Sequence, residues 1–414
     1  MYRKPVIHRH FEVMSSGKKI LISHTSVFKK AGWGRIFPLA AGLVKIGNEV
    51  TILTTNPEYS LFIKKMDIRG VRIIIFPEII PARISRMGFG FISLLLKIIH
   101  VLFNRYDVVH SDNGHRPLSG IPCRLHRKLY GSVYVAEWYD WYGKGGQYDN
   151  KKKLFKILLG RYELKYELKD KKAADGVVVL SEILRSRAEM FKPKDRVIKI
   201  HGGADVSAIP FLSDNSKVKA RYGISEDTLT LGYINSDSYR LAEFLPVINV
   251  ITKYGLSHRI KIVVFGESGA LIRQLTPDIT SKMKFFGWID FSKDYEKLQL
   301  VDVFFLLKEE MLGNNAGWPN CIGDYLACGR PVLVNPVGEV IGFVEKYPYA
   351  FITTTKEEKD VYNKIQFISN NLKRIKENGG NIRKLAEEVI SWERKSKDLF
   401  DFYMYLLKMR QEAL

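Results

Sequence analysis

Short apolar runs alternate with longer amphipathic segments along most of the chain. Apolar runs bounded by Gly, Pro, Asn or Asp favour buried strands, and segments with a period near 3.6 residues favour helices. Together they predict parallel sheets with helices on both faces. The predicted strands are Lys19–His24, Glu49–Thr54, Val71–Phe76, Asp107–Ser111, Val133–Glu137, Gly176–Leu180 and Val197–Ile200, then Leu229–Ile234, Lys261–Phe265, Met283–Phe286, Val301–Leu307, Pro331–Val334 and Ala350–Thr353.

The strands fall into two groups separated by His201 to Phe211, a segment with the Gly and Pro content of a hinge. A long amphipathic helix from Ile390 to Met409 ends the chain. Two sheet domains about a hinge place a ligand cleft between the carboxyl ends of their strands. We therefore expect a first domain over residues 1–204, a second over 205–390, and a terminal helix over 391–414.

The run from Asn314 to Gly342 is the most informative about function. A loop of Asn and Gly precedes Pro319, which suits the first turn of a helix. Small residues let a ligand approach the backbone, and free N–H groups at a helix start favour an anion such as a diphosphate. Asp324 lies about one turn into this helix, within reach of ribose hydroxyls. An ordinary helix–strand connection is the alternative interpretation.

The sequence Ala327-Cys-Gly-Arg-Pro-Val resembles the donor-sugar site of retaining, GT-B-fold glycosyltransferases of family 4. In that family a Glu, seven other residues and a second Glu precede a strand of this kind. The resemblance implies that Asp324 occupies the second acidic position and binds the ribose. The first Glu, which usually meets the transferred sugar, falls on Ala316. Asn314, Asn315 and Glu310 are the alternatives for its role.

Further segments extend this resemblance over nearly the whole chain. The Gly32-Trp-Gly34 turn follows the first strand, Gly203-Ala-Asp205 resembles the turn where these enzymes cross between domains, and Ser391-Trp-Glu393 resembles the start of their last helix. The resemblance implies an α/β, GT-B fold, in which two Rossmann-like parallel-sheet domains face a central cleft. The second domain then binds a nucleotide-diphosphate sugar, either UDP- or GDP-linked.

The resemblance also implies donor-binding residues on both sides of the cleft. Arg240 is the candidate cation for the diphosphate, with a surface Arg as the alternative, and Trp288 follows a turn that reads the nucleobase in the family. Glu339 matches an acidic residue near the sugar and phosphates. The expected donor-binding residues are Gly32, Gly34, Arg240, Gly266, Trp288, Ile289, Asn315, Ala316, Gly317, Asn320, Asp324 and Glu339.

Relatives often carry a His after the fifth strand, but the segment Tyr134–Gly146 contains none. Glu137 and Asp140 are its acid/base groups, and His110 ends the preceding strand, where a structural role is equally expected. In retaining GT-B enzymes the donor phosphate itself deprotonates the acceptor. The chain contains no Asp-x-Asp triplet, so we expect neither a metal nor another cofactor.

Charge is concentrated in the first half of the chain. Of the net charge of +21, residues 1–200 carry +20, from 37 Lys/Arg and 17 Asp/Glu. Such asymmetry predicts an anionic partner, namely a membrane, a lipid phosphate or nucleic acid, although a solvated basic surface is the alternative. The three cysteines are odd in number and lack metal-ligand spacing, which fits a reducing compartment, and we see no signal peptide.

Two segments of the first half favour the membrane. The predicted helix from Arg83 to Asn104 is apolar with basic ends, and Lys151 to Lys156 is strongly basic. Relatives that act on lipid acceptors rest on membranes through first-domain helices, although core packing explains part of the pattern. We expect a peripheral enzyme at the cytoplasmic face of the membrane, which transfers a sugar to a lipid-linked, anionic glycan.

The alternative functions are a soluble GT-B enzyme (glucoside synthesis or nucleotide-sugar epimerisation) and a nucleic-acid binder, for which no motif is present. Sugar, acceptor and oligomeric state are open.

Overall fold

The computed structural model describes residues 17–30, 32–85, 87–235, 241–266, 269–273, 275–289 and 294–412. Within these ranges the strands form two sheets, one of eight strands and one of six. The first sheet contains β1 (Lys19–Val27), β2 (Glu49–Thr55), β3 (Lys64–Ile68), β4 (Val71–Phe76), β5 (Val108–Ser111), β6 (Val133–Trp138), β7 (Gly176–Val179) and β8 (Val197–Lys199). The second contains β9 (Leu229–Asn235), β10 (Ile260–Gly266), β11 (Met283–Phe285), β12 (Val303–Leu307), β13 (Val332–Asn335) and β14 (Phe351–Thr353).

Both sheets have the order of doubly wound α/β domains. The first runs β3-β4-β2-β1-β5-β6-β7-β8, and the second runs β11-β10-β9-β12-β13-β14. Every paired neighbour is parallel except β3, which runs antiparallel to β4. Strand β1 is buried along all but its first residue, because helices cover both faces of the sheet. Every predicted strand overlaps an observed one, which confirms the predicted α/β class with two parallel-sheet domains.

Strand β3 was not predicted, for a physical reason. Its sequence, Lys-Lys-Met-Asp-Ile, is polar and mostly exposed, and it pairs on one side only. Lysines on an edge strand discourage further pairing, so such a strand lacks the apolar signal of a buried one.

Helices cover the sheets and connect their strands. Their bounds are α1 (Trp33–Lys45), α2 (Ala82–Ser85), α3 (Ile92–Phe103), α4 (Pro117–Tyr130), α5 (Lys153–Ala173), α6 (Glu182–Glu189), α7 (Ser216–Arg221), α8 (Leu241–Lys253), α9 (Gly269–Ile272), α10 (Pro277–Ser281), α11 (Leu312–Ala316), α12 (Cys321–Ala327), α13 (Glu339–Lys346), α14 (Glu358–Asn370), α15 (Leu372–Glu377), α16 (Gly379–Leu385) and α17 (Trp392–Glu412). The helix predicted from Arg83 to Asn104 is instead α2 and α3, with Gly88 between them at φ 85°.

The chain crosses between the two sheets twice, and the two crossings lie side by side. The backbone N–H of Ala204 donates to Ile390 O at 3.0 Å, and that of Trp392 donates to Ala204 O at 3.1 Å. Helix α17 then packs on α1 and on the first sheet through Leu399 and Phe402. The end of the chain therefore stabilises the first sheet, while the boundaries after residues 204 and 390 stay a prediction.

None of the helices in the described ranges is both long and apolar enough to cross a bilayer.

Candidate active site

A cleft of about 610 Å³ separates the two sheets and is lined by residues of both. It brings together predicted donor-binding residues that are far apart in the sequence. Those that line it are Gly32, Gly34, Gly266, Trp288, Ile289, Asn320 and Asp324. Their convergence gives the predicted donor site a definite place, although their contact with a nucleotide sugar stays a prediction.

The first-domain wall of the cleft is the start of α1. Gly32 caps this helix at φ 85°, a conformation that side chains other than Gly rarely adopt. A Cβ on Gly32 would lie 3.2 Å from Asp112 Oδ2, whereas one on Gly34 would meet nothing within 4 Å. The first turn holds no acidic residue. A bare, open helix N-terminus of this kind favours an anion in the cleft.

The opposite wall consists of two turns at the ends of β10 and β11. Gly266 has φ 90° and donates its N–H to Gly287 O at 2.6 Å, so the two turns are joined through their backbones. Trp288, which follows, is 67% exposed and lines the cleft, and Ile289 packs against the core of the second domain. The indole of Trp288 therefore does not belong to the core of the second domain.

Asp324 lies in the first turn of α12, and no described residue donates a hydrogen bond to its carboxylate or pairs with it. Burial and the nearby carboxylate of Asp205 raise the pKa of Asp324 to about 7. Asp205 itself is paired with Arg69, whose Nη1 lies 2.9 Å from Asp205 Oδ2. The carboxylate of Asp324 can therefore accept hydrogen bonds from a ligand in the cleft. Ribose hydroxyls are donors of the kind that it would accept.

A second pocket of about 380 Å³ is lined by Asp140 and by residues of the segment from Gly313 to Pro319, which we call the donor loop. Gln147 Nε2 donates to Asp140 Oδ2 at 2.8 Å, which fixes the carboxylate. The other oxygen, Oδ1, lies 3.2 Å from the position that a Cβ on Gly317 would take. Asp140 of the first domain therefore faces the donor loop of the second domain, together with Lys308 and Glu309.

Ala316 does not line the cleft, and its assignment to the donor stays a prediction. It is fully buried and packs into a cluster of first-domain residues that includes Trp138, Val179 and Leu184. A carboxylate at this position would be desolvated without a partner, which is costly. The position that carries the first Glu in family 4 therefore serves here as a packing contact between the domains.

Glu339 and Asn315 also lie away from the main cleft, in a third pocket of about 450 Å³. The carboxylate of Glu339 accepts from the backbone N–H of Glu182 at 2.5 Å and pairs with Lys199 Nζ at 2.9 Å. Both partners belong to the first domain. In this structure Glu339 is thus a contact between domains, and its assignment to the donor stays a prediction.

Glu137 and His110 are buried beneath the cleft, and their assignment as catalytic residues stays a prediction. Glu137 is held by Arg35, whose Nη2 lies 3.0 Å from Glu137 Oε1, and His110 Nε2 lies 3.7 Å from the same oxygen. Tyr403 of α17 hydrogen-bonds His110 Nδ1. Burial lowers the pKa of His110, so the imidazole is neutral. His110 and Glu137 are almost fully buried, and Arg35 holds the Glu137 carboxylate in place.

Arg240 lies outside the described residues. Arg69 and Tyr295, in contrast, line the cleft and were not predicted. Arg69 lies in the turn after β3, with φ 55°. It was not predicted because the apolar pattern did not reveal β3. The sequence signal that could have indicated this turn is Gly70, because Arg69 and Gly70 both adopt positive φ there.

Comparisons with known proteins agree with this fold. The model of Glycosyltransferase Family 4 matches residues 35–208. Sucrose-phosphate synthase from Thermosynechococcus elongatus is similar in structure, with a TM-score of 0.71 at 15% identity over 94% of this chain and 99% of that one. Anabaena HepE, solved with UDP-glucose, has a TM-score of 0.66 at 13% identity over 96% of this chain and 100% of that one. WaaG, a glycosyltransferase involved in lipopolysaccharide biosynthesis, has a TM-score of 0.63 at 13% identity over 92% of this chain and 98% of that one. No curated protein matches the sequence.

The two facing parallel-sheet domains and their cleft have the fold of the GT-B glycosyltransferases. The match over residues 35–208 makes the first half of the chain similar to glycosyltransferase family 4.

Proposed function

We propose that the chain is a retaining, metal-independent glycosyltransferase that moves a sugar from a nucleotide-diphosphate donor to a lipid-linked, anionic glycan at the cytoplasmic face of a membrane. The observation that carries the donor half is the convergence of Gly32, Gly266, Trp288 and Asp324 on one cleft between the domains. HepE, which shares the fold, has been solved with UDP-glucose, and this supports a UDP-linked donor first.

The donor lies across the cleft in a defined direction. The base occupies the Trp288–Ile289 turn, the ribose hydroxyls bond to Asp324, and the diphosphate faces the start of α1 at Gly32 and Gly34. The positive end of the helix stabilises the departing diphosphate, which gains negative charge as the glycosidic bond breaks. The sugar then points toward the second pocket, where Asp140 faces Gly317.

The transfer follows from this arrangement. The bond between the anomeric carbon and the diphosphate oxygen breaks while the acceptor oxygen bonds to the same face of that carbon. The proton of the acceptor hydroxyl passes to the departing diphosphate. Asp140 is the carboxylate that compensates the positive charge developing on the sugar, a function that the buried Ala316 does not provide.

The exposed apolar surface of the first domain supports the membrane half of the proposal. On α3, Leu95 and Ile99 stand one turn apart on the solvent side, with Phe91 (69% exposed) before them and Phe103 (82% exposed) after. At the start of α5, basic and apolar residues are interspersed: Lys152, Lys153, Leu154, Ile157 and Leu158 are exposed, and Lys156 is half-buried. Apolar side chains flanked by lysines fit an anionic membrane interface.

Two experiments test the two halves separately. A screen of UDP- and GDP-linked sugars should find one donor that wild type hydrolyses and that Asp324→Asn turns over far more slowly. Hydrolysis of no donor, or equal rates for both proteins, would overturn the donor assignment.

For the membrane half, wild type should sediment with anionic but not with neutral vesicles, and Leu95→Glu/Ile99→Glu should stay in the supernatant. Sedimentation of the variant to the same extent as wild type would contradict the proposed surface.

A further inference from the structure

A cluster of buried charges lies outside the donor cleft, where β5 ends and α4 begins. Arg116 precedes α4, is only 5% exposed, and donates from Nη2 to Glu163 Oε1 at 2.6 Å. His115 Nε2 lies 3.2 Å from the same oxygen, and burial lowers the pKa of His115 to about 4, so it adds no charge. Lys151 is half-buried, and burial lowers its pKa, with Arg116 lowering it further and Glu163 raising it. Arg116 therefore pairs with the carboxylate, and Lys151 adds a second cation near the same Phe155 ring.

The cations of this cluster are fixed in position. The Arg116 guanidinium lies 5.0 Å from the ring centre of Phe89 and 5.8 Å from that of Phe155. Lys151 Nζ lies 5.7 Å from the same Phe155 ring. Arg116 Nη1 is buried, and no described residue accepts a hydrogen bond from it. A buried donor without a partner is costly, and fixed guanidinium N–H groups fit phosphate oxygens well.

The position of the cluster connects the two parts of the proposed function. On one side the ring of His115 lies 4.6 Å from that of Tyr142, two residues after Asp140 in the second pocket. On the other side Phe155 belongs to the start of α5, whose neighbouring Leu154 is exposed. The cations thus lie between the sugar-side carboxylate and the apolar surface assigned to the membrane.

We propose that Arg116 and Lys151 bind the phosphate that joins the sugar-accepting head of the acceptor to its lipid, as a phosphomonoester or diphosphate. This inference rests on the proposed function and adds a subsite to it. A bound phosphate supplies the missing acceptor for Arg116 Nη1 and balances the second cation. It also holds the accepting hydroxyl on the Asp140 side of the cleft while the lipid stays in the membrane.

Lys151→Gln tests the subsite, because Arg116 variants leave Glu163 buried without its partner and endanger the fold. Lys153→Gln is the matched control, since it removes the same charge from the exposed surface two residues away. Binding is measured to phosphatidylcholine vesicles that contain phosphatidic acid, a phosphomonoester, or phosphatidylglycerol, a phosphodiester, at matched surface charge. We expect Lys151→Gln to weaken phosphatidic acid binding roughly tenfold more than phosphatidylglycerol binding. Lys153→Gln should weaken both equally, by the roughly fivefold effect of one surface lysine.

Other outcomes overturn the subsite. Equal losses for the two variants on both vesicles would reduce Lys151 to general surface charge. A lower melting temperature of Lys151→Gln with unchanged vesicle binding would assign the cluster to structure, with a water joining Arg116 Nη1 to Glu163. Inorganic phosphate that binds as tightly as the vesicles would assign the site to a free anion. Stabilisation by UDP or GDP is measured alongside, because its absence would instead contradict the donor site.

Discussion

The donor side of the cleft and the acceptor side differ in how polar groups are used. On the donor side the walls are backbone turns and Asp324, whose carboxylate no described residue binds. On the acceptor side the charged residues are more numerous but pair internally, as Arg35 does with Glu137, Arg116 with Glu163, and Lys171 with Asp170. A charged residue at the end of a strand therefore does not by itself indicate a catalytic residue, and the predictions below test the two sides of the cleft separately.

The largest expected effect concerns stability. Glu137→Gln leaves the Arg35 guanidinium buried without its counter-charge, and breaking a buried pair in this way costs about 3–5 kcal/mol of unfolding free energy. Urea unfolding measures the loss. Glu358→Gln, which breaks an exposed pair with Lys253, is the matched control and should leave the midpoint unchanged. A Glu137→Gln protein of wild-type stability but without activity would restore Glu137 as a catalytic residue.

Asp140→Asn should affect the reaction and leave the fold unchanged. If its carboxylate compensates charge on the transferred sugar, kcat falls roughly 10²–10³-fold while the affinity for the nucleoside diphosphate stays within about twofold. Steady-state kinetics and nucleotide titration separate the two quantities. Asp149→Asn makes the same change in the same loop, outside the pocket, and should keep its kcat. Similar rates for both variants would remove Asp140 from the chemistry.

The donor side should show a pH dependence. Because the pKa of Asp324 is raised to about 7, its carboxyl is charged above that pH and largely protonated below it. Hydroxyl donors prefer the carboxylate, so nucleotide affinity should rise about tenfold between pH 6 and pH 8. The contribution of this group to folding has the opposite sign: it is complete below about pH 4 and lost as the pH rises through 7. Asp324→Asn corrects for titration of the nucleotide itself, and an equal slope in that variant would contradict the assignment.

The smallest effect is expected at the contact between domains. Glu339→Gln keeps an acceptor for the Glu182 N–H but removes the charge that pairs with Lys199, which is partly exposed. We expect a loss of about 1 kcal/mol or less in stability and a slightly larger radius of gyration in solution scattering. A large loss of donor affinity instead would return Glu339 to the donor site.

Sequence alone predicted the fold and several of the residues that line the cleft, because both depend on local signals. Apolar runs mark the buried strands, and the turns at Gly32 and Gly266 are marked by residues that positive φ requires. The sequence did not reveal that Ala316 is buried against Trp138 or that Glu137 meets Arg35, since both contacts join segments more than one hundred residues apart. The exposed β3 edge lacked an apolar signal, and Arg69 was missed with it.

Calorimetric titration of UDP and GDP into wild type and Asp324→Asn tests the central claim most directly, namely that the cleft between the two sheets binds a nucleotide-sugar donor. One of the two nucleotides should bind wild type at a single site. The variant should bind it roughly 10–100-fold more weakly, which is the loss expected for hydrogen bonds to a charged group. Binding of neither nucleotide, or equal affinity in the folded variant, would contradict the account.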